Sequence, residues 1–257
     1  MRLTYRNIVG VFAIAIALLA FKWPEGKITI HSIGDSTMCN FDDSYLNKFG
    51  GEGYPIRGWM QMMPTFVKPS VTINNAAKSG RSSKSFRDEG WWDKVKPQIK
   101  PGDYVFIMFG GNDQKTDSLR HTDPWTSYKQ NMASYVKETR ALGAKPILFT
   151  SLVRRKFDKN GKLVDTYGEY ILTVRALAKE LDAPMIDLYQ LSGDLVQKYG
   201  PEASKKLFLY IAPGRFSKLP EGKKDDSHLC AYGAEKVAEL AVNEIKKQKL
   251  DIASYFK

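Results

Sequence analysis

The stretch that most constrains the fold of this chain is residues 28–38, Ile-Thr-Ile-His-Ser-Ile-Gly-Asp-Ser-Thr-Met. Its first six positions are mostly apolar or β-branched, which predicts a buried strand. Gly34 and Asp35 end that strand, and open α/β sheets bind their ligands at the carboxyl ends of strands. We therefore expect Ser36 to lie exposed on a tight turn at a ligand-binding edge. A turn that merely caps the next helix is the alternative interpretation.

Four more apolar runs predict further strands, at residues 71–77, 104–109, 146–151 and 184–188. Helical spacing occurs at residues 59–63, 126–142, 167–181 and 231–246, whereas residues 39–58 are rich in Asn, Asp, Gly and Tyr and predict a loop. The chain has 257 residues, of which 43% are hydrophobic, and no linker-like stretch divides it. We therefore predict one α/β domain over residues 26–257.

The N-terminal segment has the composition of an export signal. Arg2 and Arg6 precede an apolar run at residues 8–21. This run is short for a membrane-spanning helix, which needs about 20 residues, but it matches the hydrophobic region of a secretory signal peptide. We expect residues 1–21 to direct the protein to the periplasm or the cell exterior. Because no good cleavage site follows the run, an uncleaved membrane anchor is the alternative.

The sequence is basic, with 39 Lys and Arg residues against 28 Asp and Glu residues and a net charge of +11. Such an excess favours an anionic partner, although a basic surface without any partner gives the same composition. We do not expect that partner to be nucleic acid, because the basic residues are scattered singly and no recognition module is present. No obligate protein partner is evident from the sequence.

A serine is a weak nucleophile unless a base activates it, and the sequence offers a base near the carboxyl end of the chain. Asp225 and His228 lie three positions apart, just before the last predicted helix. At a helix entry the two side chains can face each other, so that His228 Nε2 reaches Ser36 while Asp225 orients the ring. The other two histidines, His31 in a strand and His121 in a polar loop, are expected to be structural.

Two further groups are suited to stabilise an oxyanion formed at Ser36. Gly80 follows the second strand, where a residue without a side chain lets its N–H approach a ligand closely. Asn112 follows the third strand and offers a side-chain amide at the same edge. The neighbouring Asp113 is expected to cap the next element, and a plain turn is the alternative for Gly80.

Two arginines, Arg154 and Arg155, follow the fourth strand on the edge that carries Ser36. Arginine binds carboxylates through two parallel hydrogen bonds, so this pair is a candidate binding site for an acidic substrate. A solvated loop is an equally good interpretation. The sequence contains no His-Glu-x-x-His and no clustered Cys-x-x-Cys, so we expect neither a metal nor another cofactor.

Four short blocks in this order resemble those of the SGNH, or GDSL-type, hydrolases: Gly34-Asp35-Ser36, Gly80, Gly110-x-Asn112-Asp113 and Asp225-x-x-His228. Fuller strings resemble the rhamnogalacturonan acetylesterase group, namely Gly-Asp-Ser-Thr-Met at 34–38, Gly-Arg-Ser-Ser-Lys-Ser-Phe at 80–86, Phe-Gly-Gly-Asn-Asp at 109–113 and Arg-Arg-Lys-Phe-Asp at 154–158. The resemblance covers nearly all of residues 28–247. It implies a flavodoxin-like fold, a three-layer α/β/α sandwich around a five-stranded parallel sheet.

The resemblance also implies roles for particular residues of this chain. These are Ser36 as nucleophile, His228 as base, Asp225 as the group that orients the base, and an oxyanion hole made of the Ser36 and Gly80 backbone N–H groups and the Asn112 side chain. One position departs from the group, because the residue before Asn112 is often His there and is Gly111 here. We expect that difference to affect substrate contacts and not the three catalytic residues.

Together these features predict an exported carbohydrate O-acetylesterase that acts on an acetylated, acidic pectic polysaccharide through an acyl-enzyme. A lipid esterase or thioesterase of the same fold is one alternative, and it would need an apolar channel for the acyl chain. A carbohydrate-binding protein without catalytic activity is another, against which the complete set of catalytic residue types argues. We expect membrane association only if the N-terminal segment stays uncleaved.

The chain has two cysteines, Cys39 and Cys230, which lie three residues after Ser36 and two residues after His228. A contact between Ser36 and His228 would bring the two cysteines into one neighbourhood. In an oxidising compartment such a pair tends to form a disulfide. We therefore predict a disulfide across the base of the site, with two buried free thiols as the alternative.

Overall fold

The computed structural model describes residues 26–49 and 53–257. Its central sheet has five parallel strands in the order β2-β1-β3-β4-β5. The strands are β1 (Ile28–Gly34), β2 (Val71–Asn75), β3 (Tyr104–Met108), β4 (Lys145–Phe149) and β5 (Met185–Ile186). All five predicted strands are confirmed. This order is the flavodoxin-like one, and the chain reverses its direction of travel between β1 and β3, where such sheets open a ligand crevice at the strand ends.

The described part of the chain contains eight α-helices: α1 (Asp43–Phe49), α2 (Trp59–Met62), α3 (Ser83–Asp88), α4 (Trp91–Val95), α5 (Lys129–Ala141), α6 (Glu169–Glu180), α7 (Leu188–Ala203) and α8 (Ala231–Lys247). Short 3₁₀ segments and one π-helical turn, Pro124–Tyr128, extend several of them. The four helices predicted from residue spacing are present. Helix α1 lies in the stretch predicted to be a loop, and Asp42 caps it by accepting the Tyr45 backbone N–H at 3.0 Å.

The alternation of side chains along the strands gives the sheet two buried faces. In β3, Phe106 and Met108 pack on one face, in the core that includes residues of α2, α7 and α8. Val105 and Ile107 point to the other face, in the core that includes residues of α3, α4, α5 and α6. Helices therefore cover both sides of the sheet, which confirms the three-layer α/β/α sandwich.

A second, two-stranded antiparallel sheet is formed by β6 (Phe208–Ile211) and β7 (Lys223–Leu229). The sequence predicted that Asp225 and His228 lie at a helix entry, and the structure corrects this, because both residues belong to β7. Helix α8 begins only at Ala231, with Cys230 as its N-cap. The prediction failed because charged and polar residues such as Lys223–His228 lack the apolar alternation by which strands are recognised.

Within residues 26–49 and 53–257, no helix combines the length and the apolar character needed to cross a membrane. The export signal or anchor predicted for residues 1–21 lies outside the described residues. The export of the protein stays a prediction.

Candidate active site

Three side chains form a hydrogen-bonded chain at the carboxyl edge of the sheet. Ser36, which follows β1, lies with its Oγ 2.9 Å from His228 Nε2. On the other side of the ring, His228 Nδ1 lies 2.9 Å from Asp225 Oδ2. The three residues predicted from the sequence are thus brought together, although 192 positions separate Ser36 from His228.

The Asp225 carboxylate is held in its ionised form. Its partial burial would raise its pKa, but hydrogen bonds from the His228 side chain and from the backbone N–H groups of Ser227 and His228 outweigh that effect. The pKa of Asp225 therefore lies well below its usual range. A permanently charged carboxylate on Nδ1 fixes the ring tautomer that leaves Nε2 free to accept a proton, and it stabilises the imidazolium that then forms.

An irregularity in the β6–β7 ladder presents His228 to the serine. Phe208 pairs with Leu229, whereas its neighbour Leu209 pairs with Asp225, so that residues 226–228 have no partner in β6. Extra residues of this kind bulge out of a sheet and re-aim a side chain. The bulge, residues 226–228, therefore projects His228 towards the turn that carries Ser36.

Of the groups predicted to bind an oxyanion, Asn112 lines the same cleft as Ser36, whereas Gly80 lies in the loop after β2 and is not part of the cleft lining. The Gly80 loop is tied to β1 by the Lys78 N–H, which donates to Gly34 O at 2.9 Å. The same loop is bonded to the segment that follows β3, because Asn112 Nδ2 donates to Arg81 O at 3.1 Å. Gly80 has a φ of +80°, which favours glycine, and open space where a side chain would be.

The hydrogen-bond donors of this group are available to a ligand. Among the described residues, the backbone N–H groups of Ser36 and Gly80 donate to no protein acceptor. Asn112 uses its amide on the Arg81 carbonyl, which fixes the side-chain plane and leaves its second N–H hydrogen unused. Three donors of this kind match the requirement of a developing oxyanion.

A cleft of about 320 Å³ surrounds the serine. Most of its lining is polar, and the residues are Asp35, Ser36, Thr37, Gly111, Asn112, Gln114, Lys115, Arg154, Tyr167, Ser227 and His228. Gln114 donates to the Thr166 and Tyr167 carbonyls, and its Oε1 is buried with no partner in the described structure. Sequence reasoning missed Lys115 and Tyr167, although the position of Lys115, three residues after Asn112, was a signal that could have identified it.

The two arginines have different places. Arg154 lines the cleft, stacks on the Tyr167 ring at 4.3 Å and donates to Gly111 O and Thr166 O. Arg155 is only 9% exposed and pairs with Asp226, so it does not face the cleft. The predicted substrate contact of Arg155 is therefore wrong. The Arg155 guanidinium is bound to Asp226, so of these two adjacent residues only Arg154 lines the cleft.

Two buried aspartates support the site. Asp113 accepts hydrogen bonds from the Ser83 N–H and hydroxyl and from the Thr122 hydroxyl. It therefore binds the start of α3, which precedes it in the chain, and does not cap the next element as the sequence predicted; the N-cap of α3 is Ser82. Burial raises the pKa of Asp113 to about 6, against the lowering effect of these hydrogen bonds. Asp35 holds the serine turn by accepting the Thr37 N–H at 2.9 Å, and burial raises its pKa as well.

The predicted disulfide is absent, because Cys39 and Cys230 are free thiols. Cys39 is buried below the serine turn, with its Sγ 3.8 Å from Ser36 O, whereas Cys230 Sγ contacts Lys206 O at 3.0 Å. The thiols therefore point to different partners. Burial also raises the pKa of Cys39 to about 12, which suppresses the thiolate that disulfide formation requires.

The segment at residues 56–59 contacts both cysteine neighbourhoods. Ile56 pairs with Cys230, and a side chain at Gly58 would collide with the backbone of Cys39. This segment accounts for the failed disulfide prediction, since proximity of Ser36 to His228 does not bring the following residues together. Among the described residues, no group of three or more His, Cys, Asp or Glu side chains is placed to hold a metal ion.

Comparisons with known proteins agree with this geometry. Residues 32–213 match the GDSL-like Lipase/Acylhydrolase family. Rhamnogalacturonan acetylesterase RhgT of Bacillus subtilis is 38% identical over 201 residues, which cover 78% of this chain and 85% of the relative. The probable rhamnogalacturonan acetylesterase YesY of the same organism is 30% identical over 224 residues, 87% of this chain and 94% of the relative.

Solved structures show the same fold. The crystal structure of protein YxiM from Bacillus subtilis has a TM-score of 0.72 and 30% identity, and the match covers 87% of this chain and 57% of that one. The acetylxylan esterase Axe2 from Geobacillus stearothermophilus has a TM-score of 0.59 at 19% identity, with 86% of this chain and 94% of that one covered, and it supports the fold alone. The chain therefore belongs to the GDSL-like lipase and acylhydrolase family of carboxylic ester hydrolases.

Proposed function

We propose that this protein removes O-acetyl groups from an acidic plant polysaccharide of the rhamnogalacturonan type, through an acyl-enzyme on Ser36. The observation that carries the proposal is the continuous chain of two 2.9 Å contacts from Ser36 through His228 to Asp225, next to backbone N–H groups without protein acceptors. The similarity to relatives named rhamnogalacturonan acetylesterase supports the choice of substrate.

The proposed reaction has two halves. Ser36 Oγ attacks the acetyl carbonyl carbon while its proton passes to His228 Nε2, and the carbonyl oxygen becomes an oxyanion that Ser36 N–H, Gly80 N–H and Asn112 stabilise. The bond from the carbonyl carbon to the sugar oxygen then breaks, and His228 returns the proton to that oxygen. In the second half a water molecule replaces the sugar, so that acetate leaves and Ser36 regains its proton.

Two positive side chains in the cleft favour an acidic substrate. Arg154 and Lys115 both line it, and Lys115 forms no ion pair with any described residue. Positive charge continues outside the cleft, where Lys78 and Lys94 lie 4.8 Å and 4.2 Å from the centre of the Trp91 ring and likewise lack a described carboxylate partner. A sugar chain with carboxylates can use both groups of charges, and aromatic faces also pack well on sugar rings.

The same lining argues for a short acyl group. A lipid esterase needs an apolar wall for its acyl chain, whereas the cleft is lined by charged, hydroxyl and amide side chains together with one tyrosine. An acetyl group requires no such channel. We expect the purified protein to release acetate from acetylated rhamnogalacturonan faster than from neutral acetylated xylan, and to leave long-chain acyl esters intact. Preferential cleavage of long-chain esters would identify a lipid esterase instead.

A charge-neutralised variant tests the acidic substrate. In Lys115→Gln/Arg154→Gln, we expect the Michaelis constant for acetylated rhamnogalacturonan to rise about tenfold relative to that for nitrophenyl acetate, because two charge contacts with the polymer are lost. Lys137→Gln/Lys179→Gln is the matched control, since it removes two exposed lysines from α5 and α6. An equal loss on both esters would show that Arg154 and Lys115 act structurally and do not bind a substrate carboxylate.

The Asn112 amide is expected to act mainly in the transition state. Replacing Asn112 by Ala should lower kcat by about 10²- to 10³-fold, the usual effect of removing one oxyanion donor, with little change in the Michaelis constant. Steady-state kinetics on nitrophenyl acetate measure both constants without a contribution from polymer binding. A rise in the Michaelis constant at unchanged kcat would contradict the assigned role and place Asn112 in substrate binding.

Gly111 keeps the cleft open beside Ser36. A Cβ atom added there would lie 3.2 Å from Asp35 Oδ2, 3.4 Å from the Tyr167 hydroxyl and 3.7 Å from Arg154 Nη2. We expect Gly111→Ala to lower kcat/KM on the acetylated polymer about tenfold, the effect typical of one added methyl group in a close-fitting pocket. Gly193→Ala is the control, because a Cβ atom there has nothing within 4 Å. If Gly111→Ala retains full activity on the polymer, Gly111 does not determine specificity.

A further inference from the structure

An ion pair between a buried arginine and an exposed aspartate holds the bulge that carries His228. Arg155, a candidate for substrate binding from the sequence, pairs with Asp226, the first residue of the bulge. We infer that Arg155 is a positioning residue that holds the bulge, and with it His228, in contact with Ser36. This inference rests on the proposed role of His228 as the base.

All three nitrogens of the Arg155 guanidinium have partners. Nη1 donates to Asp226 Oδ1 at 2.5 Å and to the Tyr210 hydroxyl at 2.8 Å, and Nε donates to Ser204 Oγ at 3.1 Å. Nη2 donates to the Pro201 carbonyl. The Tyr210 hydroxyl itself donates to Asp226 Oδ1 at 2.6 Å, which closes a triangle of polar groups. With an exposed fraction of 9%, this side chain is not available to a polysaccharide.

The backbone of Arg155 reinforces the attachment. Its N–H donates to Asp226 O at 2.8 Å, so the segment after β4 holds the bulge by a main-chain bond as well as by the side chain. Residues of a bulge lack the ladder bonds that fix an ordinary strand. The described structure replaces those ladder bonds with the two Arg155 attachments. Arg155 thereby connects the β6–β7 sheet to the edge of the central sheet.

Asp225 and Arg155 have separate tasks in this arrangement. Asp225 binds the Ser227 and His228 N–H groups and the His228 ring, so it fixes the ring relative to the bulge. Arg155 fixes the bulge relative to the strands that carry Ser36. Loss of Arg155 should therefore leave the Asp225–His228 pair intact and weaken the contact between His228 and Ser36.

Loss of the Arg155 side chain is expected to affect proton transfer from Ser36 to His228 and to leave substrate binding unchanged. A displacement of about 1 Å of a catalytic group can cost about 10²-fold in rate without affecting substrate binding. Arg155→Lys keeps the charge but loses the planar fork that reaches several partners at once. We expect this variant to lower kcat on nitrophenyl acetate about tenfold, with a Michaelis constant within a factor of about two of the wild-type value.

The decisive measurement is the chemical reactivity of Ser36. The second-order rate constant for its sulfonylation by phenylmethanesulfonyl fluoride depends on the contact with His228 and involves no sugar. We expect this constant to fall in Arg155→Lys in parallel with kcat. Tyr210→Phe removes only the hydroxyl that bonds to Arg155 and Asp226, and it is expected to lower the same rate constant by a smaller factor. This variant keeps the test available if Arg155→Lys does not fold. Arg140→Lys is the control, because the Arg140 guanidinium likewise binds protein acceptors, the carbonyls of Leu181 and Asp182, but near the amino ends of β4 and β5 and away from the bulge.

The outcomes separate this inference from the proposed function. If folded Arg155→Lys and Tyr210→Phe react with the sulfonyl fluoride at the wild-type rate, the inference is wrong. A rise in the Michaelis constant for the acidic polymer alone would also overturn it, since that result would place Arg155 at the substrate. If Ser36 of the wild-type protein does not react with the sulfonyl fluoride and no ester is cleaved, it is the proposed function that fails, and the inference falls only because it rests on that function.

Discussion

Replacing Ser36 by Ala is expected to lower kcat on acetyl esters by about 10⁴- to 10⁶-fold, the loss typical of removing the nucleophile of a serine hydrolase. The reason is that no other described hydroxyl is recorded within hydrogen-bond distance of His228 Nε2, which lies 2.9 Å from Ser36 Oγ. Acetate release from acetylated rhamnogalacturonan and hydrolysis of nitrophenyl acetate should fall together, because the proposed mechanism forms the same acyl-enzyme from both esters.

Binding of the polymer should survive this substitution. The positive groups of the cleft are unchanged in Ser36→Ala, so its affinity for the acetylated polymer is expected to stay within a factor of about three of wild type, a difference below 1 kcal/mol. Ser134→Ala, on the distant helix α5, is the control for the loss of a hydroxyl group. Wild-type protein that binds the polymer and cleaves no short acyl ester would instead support a carbohydrate-binding protein without catalysis.

Replacing His228 by Ala is expected to lower kcat by about 10⁴- to 10⁶-fold, close to the effect of losing the serine, because residues of a catalytic triad act as a unit. The double variant with Ser36→Ala should therefore be little worse than either single variant. The measurement is kcat on nitrophenyl acetate for the two single variants and the double variant.

His121→Ala provides the matched control for the loss of an imidazole. His121 is exposed, donates one hydrogen bond from Nδ1 to the Lys115 carbonyl and has no recorded contact with Ser36, so most of the activity should remain. His31 is buried against Asp103 at 3.2 Å, and its replacement should affect stability before it affects catalysis. Full activity in His228→Ala would remove the base from the proposed reaction.

Much of the fold and the centre of the site could be predicted because they depend on local patterns. Buried strands such as β3 are continuous apolar runs, and polar or glycine residues at their carboxyl ends, among them Ser36, Gly80 and Asn112, must meet at one edge of a parallel sheet. In the structure, Ser36 and Asn112 line one cleft at that edge.

The remainder depended on tertiary contacts that no local pattern encodes. The bulge that presents His228 arises from a four-residue offset between Asp225 and Leu229 in pairing with β6, and its strand has no apolar alternation. Whether Arg154 or Arg155 faces the cleft depends on the partner that each one finds. The disulfide prediction failed because contact between Ser36 and His228 does not dictate where the side chains of their neighbours point.

The proposed formation of an acyl-enzyme on Ser36 is tested most directly by its covalent intermediate. Wild-type protein mixed with nitrophenyl acetate, quenched in acid within the first turnover and digested, should carry one acetyl group on the peptide that contains Ser36. Asp225→Asn should carry the same acetyl group with slower formation and slower loss. Release of acetate at the wild-type rate without any acetylated Ser36 would contradict the proposal.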